Sequence, residues 1–384
     1  MKKHNINPYL SILIVAFAAC FCAVIIYSQV ISSSADFEWL GSESQIVSLA
    51  LNKKIIQSRK PDPIKVKGLY LTAYSAGNNA KMNEIISLIQ ATELNSVVID
   101  IKDYSGYVLY DSSLALVSEL GLKSQRISDL PLLLKTLKKN NIYTIARVSV
   151  FQDPLLASKK PEWAIKSKRG GLWRDRKGLA WVDPSSKDVW DYNISIAIEA
   201  SSAGFDEINF DYIRFPTDGP LADIIYSNDN KKKRYEVIED FFKYLSVRMA
   251  GQRAYISADL FGLTTERGGE DDMMIGQRLE DAVKYFDYVC PMVYPSHYPP
   301  GYMNFNNPAD HPYEVVYRAM SSGQKKADGK RAQLRAWIQS FDLGAVYDGQ
   351  KIKAQIDASD DAGANGWILW NARNYYNNRG LADA

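Results

Sequence analysis

Eight short apolar runs alternate with longer amphipathic segments from Lys67 onward, and this rhythm constrains the fold more than any other feature. Strands separated by helices pair in parallel through right-handed crossovers. Eight such units with none left over predict an α/β fold, a closed (β/α)8 TIM barrel, rather than an open doubly wound sheet. The predicted strands are Gly68–Tyr74, Ser96–Asp103, Tyr143–Phe151, Glu207–Phe215, Tyr255–Gly262, Tyr288–Tyr294, Gln333–Phe341 and Gly366–Asn371.

The segments between these runs have helical periodicity. The predicted helices are Asn83–Glu93, Ser128–Lys139, Lys187–Ala203, Lys233–Ala250, Ile275–Phe286, Pro312–Ser322 and Tyr347–Ala362. The first strand ends in Thr72–Asn78, which lacks the glycine pattern of a dinucleotide-binding turn.

The N-terminal residues predict a membrane anchor. Residues 9–31 carry no charged side chain and would span about 34 Å as a helix, enough to cross a bilayer. Lysines precede this segment and acidic residues follow it, so the positive-inside rule places the barrel outside the cytoplasm. We expect a cytoplasmic segment 1–8, a transmembrane signal anchor 9–31, a tether 32–66 and a barrel 67–384, facing the periplasm or the cell surface. A cleaved signal peptide and a lipoprotein acylated at Cys20 are the alternatives.

Composition excludes several classes of function. Lys and Arg number 46 against 44 Asp and Glu, so no basic excess predicts a nucleic-acid partner. The three histidines are scattered and no cysteine cluster occurs, so we predict no metal site and no cofactor. An all-oxygen calcium or magnesium site is the alternative, although no EF-hand-type spacing supports it. A Gly-x-Ser-x-Gly nucleophile motif is also absent from the sequence.

Polar residues at the strand ends are the candidates for chemistry, because (β/α)8 enzymes place their active sites at the C-terminal ends of the strands. The segment Glu207–Pro216 shows the pattern best, since a buried strand runs into Asp211 and stops at a proline. The catalytic candidates are Asp211, Asp259 and Asp103. The substrate-binding candidates are Asp100, Lys102, Arg147, Asn209, Arg214, Tyr294, His297, Arg335, Trp337, Gln339, Trp370 and Asn371.

Strand alternation indicates which candidates share a face, because residues two apart point the same way. Asn209 and Asp211 are predicted to point together, and so are Ser257 and Asp259, Asp100 and Lys102, and the set Arg335, Trp337 and Gln339. Carboxylates facing a barrel interior need counter-charges, which Arg147, Arg335 and Lys102 can supply. Two acids beside arginines and aromatic rings at one barrel end fit glycoside hydrolysis, in which one carboxyl group protonates the leaving oxygen and another attacks or activates water.

Four motifs together resemble a bacterial family of "putative glycosyl hydrolases", formerly a domain of unknown function, in the TIM-barrel glycosidase superfamily. They are Leu94–Gly106, Ala146–Pro154, Asn209–Pro216 and Pro291–Tyr298. The resemblance covers about Lys67 to Asn374 and implies a (β/α)8 fold and carbohydrate hydrolysis.

The sequence departs from the large retaining clan, which places one Glu after the fourth strand and another at the seventh. Here the fourth strand carries Asp211, and the seventh carries Gln339 and Asp342. An aspartate at the fourth strand is similar to the α-amylase and α-galactosidase arrangement, which implies that Asp211 is the nucleophile. Asp259 is then the predicted acid/base, with Asp103 as its substitute.

The sequence thus predicts a membrane-tethered, exported glycoside hydrolase acting on a cell-envelope or extracellular polysaccharide. One alternative is a non-catalytic carbohydrate-binding or scaffold barrel. Another is a polysaccharide lyase or deacetylase on the same fold. A deacetylase would need a metal site, and a lyase would need a cation such as Arg147 or Arg335 opposite its base.

Overall fold

A closed parallel barrel accounts for the strand–helix rhythm. The structure, a computed structural model, describes residues 60–227 and 232–384, and Lys60–Ala384 forms one compact unit. The strands of the described residues are β1 Val66–Leu71, β2 Ser96–Lys102, β3 Val108–Tyr110, β4 Lys123–Ile127, β5 Tyr143–Ser149, β6 Lys166–Ser167, β7 Glu207–Asp211, β8 Ile224–Ile225, β9 Tyr255–Phe261, β10 Tyr288–Met292, β11 Gln333–Leu334, β12 Ala336–Gln339 and β13 Gly366–Trp370.

Eight parallel positions close the barrel within these residues, in the order β1, β2, β5, β7, β9, β10, β11 with β12, and β13. β1 pairs with β2 on one side and with β13 on the other, where Val66 lies opposite Gly366. Gly366 has a φ of 88°, and a Cβ there would lie 1.8 Å from the Val66 carbonyl oxygen. Glycine is therefore required where the last strand meets the first. The predicted (β/α)8 fold is confirmed.

Helices cover the outside of the barrel. They are α1 Ala73–Ala76, α2 Asn79–Ala91, α3 Ala115–Glu119, α4 Leu130–Lys139, α5 Pro154–Lys159, α6 Lys187–Ala203, α7 Arg234–Arg248, α8 Leu279–Ala282, α9 Pro312–Ala327 and α10 Gly349–Asp361. Side-chain caps fix several starts: Asn78, Asp129 and Asp348 each accept a backbone N–H from the first turn of their helix. The predicted helix Ile275–Phe286 is wrong in extent, because only Leu279–Ala282 is helical and Gly276 before it has a φ of 81°.

Strand alternation divides the core into two layers. Along β2, Val97, Ile99 and Ile101 join the large apolar cluster shared by sheet and helices. Val98 instead joins a smaller cluster inside the barrel. Polar side chains complete the interior, so the same alternation that buries the helices against the sheet also points carboxylates inward.

The N-terminal predictions fall largely outside the described residues. Segments 1–8 and 9–31 and most of the tether lie there, and the helices that the structure does describe include none long and apolar enough to span a membrane. The last residues of the predicted tether are described. Lys60 pairs with Asp287 at 2.8 Å, and Tyr255 donates a 3.0 Å hydrogen bond to the Pro61 carbonyl oxygen. These contacts fix the chain beside β9 before β1 begins.

A buried ion pair lies within the barrel at the start of the strands. The Arg335 Nη1 group lies 2.9 Å from the Glu207 carboxylate, and both side chains are fully buried. The Arg335 guanidinium also lies over the Tyr288 ring, 4.2 Å from its centroid. Because Glu207 is the first residue of β7, this pair lies at the end of the barrel opposite to the strand C-termini.

We expect Arg335→Met to destabilise the fold by about 3–5 kcal/mol, because it leaves the Glu207 carboxylate buried without a counter-charge. The double change Glu207→Leu with Arg335→Met should recover most of the loss. Urea unfolding midpoints measure both. The matched control is Lys60→Met, which removes a partly exposed ion pair and should cost less than about 1 kcal/mol. Equal losses in the single and double variants would contradict a pairing role for Arg335.

Candidate active site

The Arg147 guanidinium joins three carboxylates at the C-terminal half of the barrel. Its Nη1 donates to Asp100 at 2.7 Å, its Nη2 donates to Asp211, and its Nε lies 3.5 Å from Asp259. The Trp370 ring lies 5.2 Å from the guanidinium, and the Tyr70 hydroxyl donates to Asp100. One cation thus connects residues from β2, β5, β7 and β9.

Asp259 is the more deeply buried of the two main catalytic candidates. Its Oδ1 accepts hydrogen bonds from Asn209 Nδ2 at 2.8 Å and from Trp337 Nε1 at 2.7 Å. Asn209 also donates a hydrogen bond of 3.1 Å to the Ser257 hydroxyl. Because one amide contacts both Ser257 and Asp259, these two residues point to the same face of β9, as predicted. Within the described residues Oδ2 accepts no hydrogen bond, and its Arg147 Nε neighbour is 3.5 Å away, so we assign the proton to this oxygen.

The charge balance favours a neutral Asp259. Three carboxyl groups share the single Arg147 charge, and desolvation together with the negative charge of Asp211 raises the pKa of Asp259 to about 8. Burial also raises the pKa of Asp100, although Arg147 opposes this. Asp211 has a different environment, because its Oδ1 accepts the Tyr212 N–H at 2.5 Å and its Oδ2 accepts the Arg147 hydrogen bond. Tyr212 has a φ of 53°, which turns the chain sharply after the strand.

These two acids line a cavity of about 230 Å³, here called the central cavity. Its other lining residues are Arg147, Tyr212, Arg214, Phe261, Gln277, Met292, Tyr294, His297, Trp337 and Trp370. Four of the twelve residues, Asp211, Phe261, Met292 and Trp370, are the last residues of their strands. The cavity therefore occupies the barrel mouth expected for an active site. Desolvation lowers the pKa of His297, so its imidazole is neutral at pH 7.

The central cavity contains eight of the predicted site residues: Asp211, Asp259, Arg147, Arg214, Tyr294, His297, Trp337 and Trp370. Asp100 and Asn209 support them from below through the bonds to Arg147 and Asp259. Asn371 lines a neighbouring cavity, where its amide also donates to the Ser340 carbonyl oxygen at 2.6 Å.

Four predicted residues lie away from the central cavity. The expectation that Asp100 and Lys102 point together is wrong, because the β2–β5 register shifts between them. Lys102 instead forms a buried ion pair with Asp153 at 2.8 Å. Arg335 is sealed against Glu207 at the far end of the barrel.

The other two predicted residues outside the central cavity, Asp103 and Gln339, form hydrogen bonds within or between loops. Asp103 accepts the Ser105 N–H at 3.0 Å in the turn after β2. Gln339 accepts the Ser296 N–H at 3.1 Å and donates to the Phe341 carbonyl oxygen at 2.9 Å, so it braces two loops.

Sequence reasoning missed four lining residues, namely Tyr212, Phe261, Gln277 and Met292. Phe261 and Met292 end their strands, so a stricter reading of strand ends would have included them. Gln277 joins two loops, since it accepts the Phe261 N–H at 2.9 Å and donates to the Ile213 carbonyl oxygen at 3.2 Å. No local pattern marks a residue of that kind.

The sequence profile of the family described as "Putative glycosyl hydrolase domain" matches residues 68–376. The chain belongs to this family. The match covers the whole barrel and confirms the resemblance carried by the four motifs. No curated protein matches the chain.

Solved structures with a similar fold include glycoside hydrolases. The glycoside hydrolase domain of PgaB (BpsB) from Bordetella bronchiseptica is 14% identical with a TM-score of 0.59, over 80% of this chain and 94% of that one. The α-galactosidase TtGalA from Thermus thermophilus is 10% identical with a TM-score of 0.50, over 83% and 60%. A hypothetical protein from Ruminiclostridium thermocellum is 43% identical over 50% of this chain and 96% of its own, with a TM-score of 0.47. The similarity to the first two of these structures is a similarity of fold.

The chemistry available at this family member's barrel mouth is that of paired carboxyl groups. In the described parts of the chain, no group of three or more His, Cys, Asp or Glu side chains is arranged to hold a metal ion. The acids at the mouth are instead organised around Arg147. Asp259 is protonated near neutral pH, and Asp211 beside it lies in a polar, hydrogen-bonded setting. Such a difference in environment is what separates a general acid from a nucleophile.

The raised pKa of Asp259 predicts a pH dependence of stability. Its folded pKa of about 8 lies above the unfolded value of about 3.9. Its contribution to the unfolding free energy is therefore fully present below the unfolded pKa and is lost as pH rises through about 8. Asp259→Asn keeps both acceptor bonds and cannot ionise, so its urea midpoint should rise relative to the parent between about pH 4 and about pH 8. A midpoint difference that does not change with pH would refute a protonated Asp259.

Proposed function

We propose that the protein is an exported, membrane-tethered glycoside hydrolase acting on a cell-envelope or extracellular polysaccharide. The observation that carries the proposal is the pair Asp211 and Asp259, which line one cavity at the barrel mouth and lie against the same Arg147 guanidinium. Membership of the family supports hydrolysis. The apolar, uncharged residues 9–31 support the tether and the export.

In the proposed mechanism Asp211 attacks the anomeric carbon while Asp259 gives its proton to the leaving glycosidic oxygen. Asp259 Oδ2 is the oxygen that donates, because Asn209 and Trp337 already occupy Oδ1. The resulting glycosyl ester on Asp211 is then hydrolysed by a water molecule that Asp259 deprotonates. Arg147 keeps a positive charge beside both carboxyl groups throughout, and Trp370 offers a partly exposed ring at the cavity wall.

The shape of the barrel mouth supports a polymeric substrate. A cavity of about 320 Å³ shares Phe261, Met292, Tyr294 and His297 with the central cavity. A second neighbour of about 550 Å³ shares His297 and Trp370 with it. We call the three together the cleft. Because two further cavities adjoin the central cavity, the barrel mouth has room for more than one sugar of a glycan chain beside the carboxyl pair.

We expect the parent protein to release reducing ends from at least one member of a panel of envelope and extracellular polysaccharides. Asp211→Asn should lower this activity by about 10³-fold or more, equivalent to about 4 kcal/mol, because the nucleophile is lost. Asp360→Asn is the matched control, since that aspartate pairs with Lys65 on the partly exposed surface. Full activity in Asp211→Asn would transfer the nucleophile role to another acid, with Asp100, the third carboxyl group that contacts Arg147, tested next.

A second prediction concerns the general acid. Asp259→Asn should lower hydrolysis of the natural glycan by about 10²–10⁴-fold. It should lower bond cleavage in a p-nitrophenyl glycoside of the same sugar far less, because that leaving group departs without a proton. Activity of the parent on the natural glycan should also fall as pH rises through about 8, where Asp259 deprotonates.

An equal loss on the natural glycan and on the aryl glycoside would contradict the acid role. If the parent binds glycans and cleaves none of the panel, the non-catalytic binding barrel is the better interpretation.

A further inference from the structure

Arg214 is a cation in the central cavity that has no acidic partner within ion-pair distance among the described residues. Its guanidinium lies over the Trp181 ring, 4.8 Å from the centroid, and 5.5 Å from that of Phe261. It donates one hydrogen bond, of 3.1 Å, to the Phe215 carbonyl oxygen. Because a guanidinium has five N–H groups, most of its donors are left for a ligand.

Among the described residues, the buried cations are Lys102, Arg147 and Arg335, and each of them is neutralised by acids, whereas Arg214 is partly buried. Lys102 pairs with Asp153 at 2.8 Å, and Arg335 pairs with Glu207 at 2.9 Å. Arg147 contacts three carboxyl groups. Arg214 therefore differs from these cations, because it holds a partly buried positive charge without an internal counter-ion, which is what a site for an anion requires.

The acids nearest in the surrounding loops do not compensate this charge. Asp175 is occupied, since its Oδ1 accepts the N–H groups of Lys177 and Leu179 and its Oδ2 accepts the Trp181 indole N–H at 3.0 Å. Asp218 and Asp211 influence Arg214 only at longer range. Desolvation lowers the pKa of Arg214, which agrees with an uncompensated cation, although a guanidinium stays charged at any ordinary pH.

Positive charge continues from Arg214 to the rim of the barrel mouth. Residues 166–177 contain six lysines and arginines and one acid, although the whole chain has a net charge of only +2. Arg169 is paired with Asp223 at 2.8 Å, which leaves five of these cations outside that ion pair. A bridge between Arg174 and Ala180 folds the end of this segment into a turn, which exposes Arg176 and Lys177. Trp181, whose ring lies beneath the Arg214 guanidinium, comes just after this turn in the chain. We call residues 166–177 the basic rim.

We propose that the substrate is an acidic glycan, and that Arg214 binds the anionic substituent of the sugar at the scissile bond or next to it. The substituent is a carboxylate or a sulfate ester, both of which a guanidinium can bind through two parallel hydrogen bonds. A neutral glycan would leave the Arg214 charge buried without a counter-ion once the cleft is filled. The proposal rests on the proposed hydrolase function for its reaction, but its test is one of binding.

The test uses the full-length protein in detergent and isothermal titration with oligomers of galacturonate, alginate and hyaluronan, each beside its carboxyl-reduced, neutral counterpart. A sulfated oligosaccharide and its desulfated form provide the ester arm. We expect at least one acidic oligomer to bind about ten- to a hundredfold more tightly than its neutral counterpart, as for a hydrogen bond to a charged group. A preference for the uronate oligomers over their reduced forms would identify the anion as a carboxylate. A preference for the sulfated oligosaccharide over its desulfated form would identify it as a sulfate ester.

The decisive variant is Arg214→Met, which can keep the apolar contact with Trp181 and removes the charge. It should abolish the preference, so that the acidic oligomer and its neutral counterpart bind this variant with equal affinity. Arg214→Lys should keep part of the preference, which shows that the site is still folded. Arg176→Gln with Lys177→Gln is the matched control on the basic rim, and should weaken binding only at low salt.

Two results would overturn the proposal. One is that no acidic oligomer binds better than its neutral counterpart. The other is that the preference persists in Arg214→Met and disappears in the double variant of the rim.

Failure of the proposed hydrolase function looks different. It would appear as Arg214-dependent binding of an acidic glycan with no cleavage. Cleavage of a neutral glycan with no acid preference would instead refute the Arg214 proposal alone.

Discussion

The Arg147 guanidinium is the interaction on which the barrel mouth depends. It lies on β5 and joins acids from β2, β7 and β9, so four adjacent strands converge on one buried charge. Removing it would leave several carboxyl groups competing to stay ionised in a desolvated site, which a fold of ordinary stability tolerates poorly. Desolvation and the negative charge of Asp211 raise the pKa of Asp259, and Arg147 opposes that rise. Arg147 therefore affects both the integrity of the mouth and the protonation of Asp259, and loss of activity in an Arg147 variant would not separate the two effects.

Most of the fold could be predicted from periodicity. The strand Ser96–Asp103 and the helix Lys187–Ala203 were placed to within one residue, because apolar alternation and the caps are local signals. The prediction for Ile275–Phe286 was too long, since its apolar residues pack as in a helix although Gly276 is left-handed. The hairpin-like segments β6 and β8 were not predicted, because strands of two residues carry no periodic pattern.

The site could be predicted as far as strand ends determine it. Asp211, Asp259 and Arg147 share a cavity because parallel strands bring their C-terminal ends together. Depth along the barrel could not be predicted from the sequence, so Arg335 was expected at the mouth although it lies against Glu207 at the far end of the barrel. The shift in register that turns Lys102 toward Asp153 could not be predicted either, because a bulge depends on pairing with a neighbouring strand. The stacking of Arg214 on Trp181 likewise joins two loops that sequence alone does not bring together.

The seam between β1 and β13 has a consequence for the timing of folding. It pairs Val66 with Gly366, about 300 positions apart in the chain, so the barrel cannot close until its last strand has been synthesised. A partly made chain would leave the edges of β1 and β12 unpaired. A domain whose closure waits for its final strand stays open during most of its synthesis. Under the proposed export, such a delay would mean that the translocation machinery meets a polypeptide without a completed barrel.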